Sequence, residues 1–298
     1  MSSPHAWPSC VIMPHVQNKL IEKPRALLSV DLEDYRRQQL RDHLGTLPPA
    51  HPDEVRRQLE MLLKLFEACQ ARATFFTVGR LASELPTSVW TAITATHRLG
   101  CHGDEHARVD RQGPARFLED TQRAKAALEQ AARHPVIAYR APYFSSDGCD
   151  PWFGETLAAC GFRLDSSRRL GVVPAGFQGT LPLPGAAGRV VEVPLPSLGF
   201  GPKRLTVIGG TYFRLLPLAT IQGLLARAAQ QGFLPLIYLH PYDIDPSAAP
   251  LEYPRALRHV VHQAGDTMRR MGRRTAGDKL RALARRYTFH PLESVLPP

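Results

Sequence analysis

The sequence lacks any apolar run approaching the roughly 20 residues that cross a bilayer. Its longest apolar stretches, such as Phe233–Leu239, are strand-sized. It is poor in cysteine: five residues in 298 (Cys10, Cys69, Cys101, Cys149, Cys160), with no C-x-x-C pair and an odd count. That excludes a small disulfide-stapled secreted scaffold and points to reduced thiols in a reducing compartment. Met1–Lys23 carries Pro, His and Gln where a signal peptide would have a basic start and an apolar stretch, so a cytoplasmic location is expected. No internal repeat or low-complexity tract occurs. No basic stripe is interleaved with aromatic rings, so nucleic acid is not an expected partner.

What remains is ordinary globular material. Apolar residues make up 44% and charged residues 21%, enough for a sizeable core in one large domain or two small ones. The net charge is +10, and it is unevenly spread. Met268–Arg286 holds eight Lys/Arg against one acid, Asp278, which reads as a solvated helical face or a neutralising cap.

Residues 1–24 have no clear period and read as a loose arm. Ala26–Val30 is a buried strand that runs into Asp31-Leu32-Glu33-Asp34. Apolar positions at 55, 59, 62, 63 and 66 predict an amphipathic helix over 53–70. Strands follow at 73–78, 136–139, 162–165 and 234–239, and helices near 86–98 and over 114–132, 152–160 and 217–231. Residues 170–210, rich in Gly and Pro, read as an irregular β region. The segment from about Tyr253 to Tyr287 reads as mostly helix. Alternating strands and helices imply a parallel sheet with outer helices. In such a fold the strand C-terminal ends share one face, and Asp31, His102, Arg140, Asp165 and His240 all fall at such ends.

His102-Gly103-Asp104-Glu105-His106 spaces two His four apart, which on a helical turn would put both on one face toward one metal ion. That spacing alone is weak. Asp31-Leu32-Glu33-Asp34, read alone, is a helix cap or a solvated turn. Beside the two His it supplies a carboxylate ligand and a carboxylate base, leaving an open metal position. Taken singly, Arg140 fits a surface ion pair, Tyr143 core, Asp165 a turn and His240 a satisfied core His. Glu192, in Val191-Glu192-Val193-Pro194, fits structural pairing as well as substrate contact.

Taken together and in order, Val30–Tyr35, Ala73–Phe76, His102–His106, Tyr139–Tyr143 and Tyr238–Pro241 resemble the polysaccharide deacetylases, the NodB-homology family-four carbohydrate esterases, over roughly residues 26–245. Gly209–Pro217 and the tail Lys279–Leu296 resemble the branch found with exosortase-linked exopolysaccharide loci. The resemblance implies a distorted, incomplete (β/α) barrel with an irregular β insertion: arm 1–24, catalytic domain 25–250 and a basic helical extension 251–298 packed on the barrel. It implies hydrolysis of N-acetyl groups on N-acetylhexosamine units with a divalent metal, Zn²⁺. Asp31 takes the place of the base, His102 and His106 the metal His, Arg140 and Tyr143 the Arg-x-Pro-aromatic motif, and His240 the acid. Arg140 would hold Asp31 ionised, Tyr143 would offer a backbone N–H to the oxyanion, and Asp165 would orient His240 or Arg140.

Leu32 stands where many members have a second Asp. The third ligand is then Glu33, on the same side of the strand as Asp31, with Asp34 as the alternative. Gly103 replaces the usual Ser or Thr, and Tyr238 a usual Leu. The expected partner is an N-acetylated polysaccharide or oligosaccharide. Contact with the inner membrane surface, on a lipid-linked precursor, would reconcile a cytoplasmic enzyme with an exported polymer. The competing readings are an allantoinase-like amidase on a small amide and a non-catalytic sugar-binding relative.

Overall fold

A computed structural model describes residues 22–44, 48–200, 203–206, 208–248, 250–251 and 260–297. The chain runs β1 (Arg25–Leu32), α1 (Tyr35–Leu44), α2 (Pro52–Ala68), β2 (Thr74–Thr77), α3 (Leu81–Glu84), α4 (Thr87–Thr96), β3 (Arg98–Cys101), α5 (Pro114–Ala132), β4 (Ala138–Tyr139), α6 (Trp152–Ala159) and β5 (Leu164–Asp165). An irregular β stretch follows: β6 (Arg169–Leu170), β7 (Leu181–Pro182), β8 (Val191–Glu192), β9 (Leu195–Pro196), β10 (Leu198–Phe200) and β11 (Lys203–Leu205). Then come α7 (Gly210–Leu215), α8 (Leu218–Gln230), β12 (Leu236–Leu239), α9 (Val260–Arg270), α10 (Arg273–Ala284) and β13 (Thr288–His290).

Nine strands form one sheet in the order β12-β1-β2-β3-β4-β5-β8-β7, with β13 also paired to β1. All pairings are parallel except β7 with β8. The path is open at both ends, a curled and incomplete barrel with helices outside: the parallel sheet follows the alternation of elements, and the incomplete barrel is what the family resemblance implies.

The two-residue period of β1 divides its side chains. Ala26, Leu28, Val30 and Leu32 join the large core beneath the helices. Leu27 joins a second, inner core with Phe76, Ala138, Leu164 and Leu236. Ser29 and Asp31 share the inner parity of Leu27. On α2, Val55, Leu59, Leu62 and Phe66 are buried at helical spacing, while Asp53 and Glu54 sit in the first turn, where the helix dipole favours them.

Several elements differ from the sequence reading. The helix expected over 86–98 ends at Thr96, because His97 turns inward and its Nδ1 accepts the Ala73 N–H at 3.3 Å. The helix α1 carries no apolar period and was not anticipated. It starts where the Asp34 carboxylate caps the Arg37 N–H at 3.0 Å. The segment expected to be mostly helix over 253–287 holds two helices, α9 and α10, and residues 252–259 lie outside the described residues. The break falls at Gly272, whose φ is 77° and where a Cβ would lie 2.3 Å from the Arg214 carbonyl oxygen. The strand β13 was not expected. The arm, 1–21 of it, lies outside the described residues.

Candidate metal centre and active site

The inner parity of β1 leads directly to the site. Glu33 follows Asp31 by two residues and faces the same way. Glu33, His102 and His106 are all buried, and one ligand atom from each lies within 4.8 Å of the others. Glu33 Oε2 is 2.8 Å from His106 Nε2. Within the described residues Glu33 Oε2 and His106 Nδ1 have no hydrogen-bond partner. A buried carboxylate oxygen left without a donor between two imidazoles fits a divalent cation.

The segment that brings the two His together is not the expected helical turn. It is a loop with left-handed backbone at Gly103 (φ 69°) and His106 (φ 55°), and it sets the two rings 4.9 Å apart. His102 Nδ1 donates to the Arg140 carbonyl at 2.7 Å, which fixes the ring and leaves Nε2 as the metal-facing lone pair. Burial and the neighbouring His106 charge lower the His102 pKa to about 4, so the imidazole is neutral, as a ligand must be. Burial pushes the Glu33 carboxyl up, but His106, His240 and His102 overcome it and hold it at about 2.

Asp34, the alternative ligand, turns away. Besides capping α1, it accepts the His51 N–H at 2.6 Å and contacts His51 Nδ1 at 3.3 Å. The structure brings Glu33, not Asp34, to the two His.

Arg140 is fully buried at the end of β4. Its Nη1 donates to Asp31 Oδ1 at 2.7 Å and Ser29 Oγ at 2.8 Å, and its Nε and Nη2 donate to Ser166 O and Oγ at 3.0 Å each. The guanidinium carbon lies 4.2 Å from the Phe76 ring centroid. Burial raises the Asp31 pKa, but Arg140, His102 and His240 outweigh it and keep the carboxylate below its ordinary value.

His240, just after β12, reaches Glu33 Oε1 at 3.8 Å with its Nε2. The other side of the ring is held by Asp243, whose Oδ2 accepts the His240 N–H at 2.7 Å and lies 3.1 Å from Nδ1. Arg214 Nε, buried on α7, donates to Asp243 Oδ1 at 2.6 Å. The Tyr242 ring stacks on His240 at 4.7 Å. Burial would depress the His240 pKa, but the bond to Asp243 and its charge raise it to about 9. Tyr143 has left-handed backbone (φ 58°) and sets its ring 4.6 Å from that of His106.

Asp165 goes elsewhere. Leu164 belongs to the inner core, so Asp165 faces the opposite side, in register with Tyr139 and Glu192. It orients neither His240 nor Arg140. It accepts the Ser167 hydroxyl at 2.6 Å and pairs with Glu192. Both carboxyls are fully buried, and burial raises both pKa values, so the pair holds a proton. The neighbouring Ser166, just past β5, is the residue that holds Arg140. Sequence reasoning missed Asp243, Arg214, Ser29 and Ser166. An acid three residues after a His, as in His240-Pro241-Tyr242-Asp243, was the available signal for the first.

Residues 51–149 match the family model described as Polysaccharide deacetylase, and residues 170–297 match a domain of unknown function (DUF3473). His102, His106 and Arg140 lie in the first match, His240 and Asp243 in the second. No curated protein matches the chain. Among solved structures, a Mycobacterium smegmatis protein assigned as a polysaccharide deacetylase is 16% identical, covering 99% of this chain and 92% of its own, with a TM-score of 0.60. A CE4 family pseudoenzyme from Bacillus anthracis (13% identity, 92% and 66% covered, TM-score 0.45) and a family 4 carbohydrate esterase from Streptomyces lividans (13%, 88% and 90%, TM-score 0.42) are more distant. The chain therefore carries a polysaccharide deacetylase domain, joined over 170–297 to a domain of unknown function.

Proposed function

We propose that the protein is a metal-dependent hydrolase that removes N-acetyl groups from N-acetylhexosamine units of an exopolysaccharide or its precursor. The observation that carries this reading is one buried cluster: Glu33, His102 and His106 as ligands, beside an Arg140-held Asp31 and an Asp243-held His240. An ion of the zinc class, when bound there, supplies Lewis acidity toward the acetyl carbonyl and lowers the pKa of water. Asp31, kept ionised by Arg140, takes the proton of the attacking water. The Tyr143 N–H is assigned to the carbonyl oxygen as it becomes negative. His240, protonated at neutral pH, gives its proton to the leaving amine, which departs poorly without one. Asp165 is left out of the mechanism, since its parity takes it away from the cluster.

The test is acetate release from N-acetylated oligosaccharides and from small amides, with and without divalent metal. The metal-loaded protein should act on the sugars and lose activity with a chelator. Glu33→Gln should abolish tight metal binding, whereas Asp34→Ala should keep the metal and lose about 1 kcal/mol of stability as a helix cap. Metal retention by Glu33→Gln, measured by metal analysis after dialysis, would move the ligand elsewhere.

A further inference from the structure

Beside the metal centre lies a cavity of about 470 Å³ lined by Arg41, Arg108, Arg111, Arg116, Gln112 and Tyr143. No Asp or Glu lines it. It shares Tyr143 with the site, and the Tyr143 ring lies tilted against that of His106 with the centroids 4.6 Å apart. Arg41, from α1, donates to the carbonyls of Glu105 and, at 2.9 Å, of His106, so it is fastened to the ligand loop itself. Arg108 forks onto Asp110 at 3.0 and 2.5 Å and sits 5.6 Å from the Tyr143 ring centroid. Arg111 and Arg116 are exposed and make no ion pair among the described residues. Gln112 donates to the Ala107 and Arg108 carbonyls and holds the loop that carries these groups.

Four guanidiniums around one concavity that no carboxylate lines, with Asp110 paired to Arg108, repel one another and focus positive potential there. Two of them are fixed by backbone carbonyls or by an acid, so their position does not depend on a ligand. The size suits one or two sugar residues rather than an ion alone. We infer that this cavity is an anion subsite: the residue next to the N-acetylated sugar carries a carboxylate or a phosphate, and the arginines grip it while the acetamide lies at the metal centre. Planar guanidiniums match both oxyanions in forked contacts. This inference rests on the deacetylase reading and names its substrate class as an anionic saccharide.

Two matched pairs of probes test it. One is an oligosaccharide of alternating glucuronate and N-acetylglucosamine against its carboxyl-reduced form. The other is N-acetylchitotetraose 1-phosphate against unphosphorylated N-acetylchitotetraose. Acetate release and calorimetric binding are measured for each at low and high salt. One anionic member should exceed its neutral twin about tenfold in kcat/KM, mostly through KM, and the advantage should shrink with salt. The pair that responds identifies the oxyanion. In the Arg111→Ala, Arg116→Ala double variant the anionic-to-neutral ratio should fall about fivefold, the effect of losing exposed charge contacts. Equal rates within both pairs overturn the subsite, as does a ratio the double variant leaves unchanged. Salt-sensitive, arginine-dependent binding of an anionic probe without acetate release from any probe would overturn the deacetylase reading and leave the subsite standing. Absence of both binding and release overturns the subsite as well.

Discussion

His240 is held by opposing forces. Burial favours its neutral ring, and Asp243 favours the cation more strongly, so the folded pKa is raised from 6.5 to about 9. A raised folded pKa means that the contribution to stability is complete below pH 6.5 and is lost as the pH rises through about 9. In the metal-free protein, NMR titration of the His240 ring should show a midpoint near 9. Asp243→Asn should lower it, because burial is then opposed only by the more distant charges of Glu33 and Asp31. A variant midpoint still near 9 would mean that another group holds the cation. Activity should fall on the alkaline side as the acid is lost. At this scale much was legible from sequence. Asp31, Glu33, His102, His106, Arg140 and His240 are all brought to one cluster, because two-residue parity on β1 and the strand-end positions follow from local pattern. Arg214 was not legible: its partner lies 29 residues away on another element, and no local period marks it.

At the scale of elements, β5 and β8 carry the residue that sequence placement misjudged. A strand of only two residues gives no alternation from which to read its face, so Asp165 appeared to share a face with Arg140 when it lies on the opposite one. Its pairing with Glu192 makes a buried carboxyl dyad that needs a proton. Because the folded state raises the Glu192 pKa well above 4.5, stability falls as the pH rises above 4.5, by up to about 1.4 kcal/mol per unit while the folded dyad stays protonated. Glu192→Gln supplies an N–H in place of that proton. Urea unfolding at pH 6 and at pH 9 should show the variant gaining on the parent at the higher pH. A wild type and variant separated by the same margin at both would remove the shared proton. The short loop from His102 to His106 makes the same point: the spacing marked the ligands, but two left-handed residues rather than a helix bring them together.

At the scale of the whole molecule, the alternation of strands and helices was enough to predict a parallel sheet with outer helices, and the family resemblance an incomplete barrel, but neither gave the three-way pairing of β1. That strand takes β12 on one part, β2 on another and β13 at its start. The strand β13 spans three residues, too few for a period, and only tertiary packing defines it. Phe289 is 2% exposed at its centre. Phe289→Ala should therefore lower unfolding stability by about 3–5 kcal/mol, read by denaturant titration. A loss under about 1 kcal/mol would mean the strand is not part of the cooperative unit.

The docking of the Leu292 N–H on Thr74 Oγ1 at 2.9 Å joins positions 218 residues apart. The strand β1, which bears Asp31 and leads into Glu33, pairs with β12 and β13, so it is synthesised first among the described strands and finished last. While the ribosome is still making the middle of the chain, β1 lacks two of its neighbours, and its backbone edge is exposed to any other strand nearby. Folding cannot settle from front to back. It waits on contacts of great sequence separation, which are slow to form, so the hazard for this protein lies in growing chains meeting one another before β12 and β13 emerge.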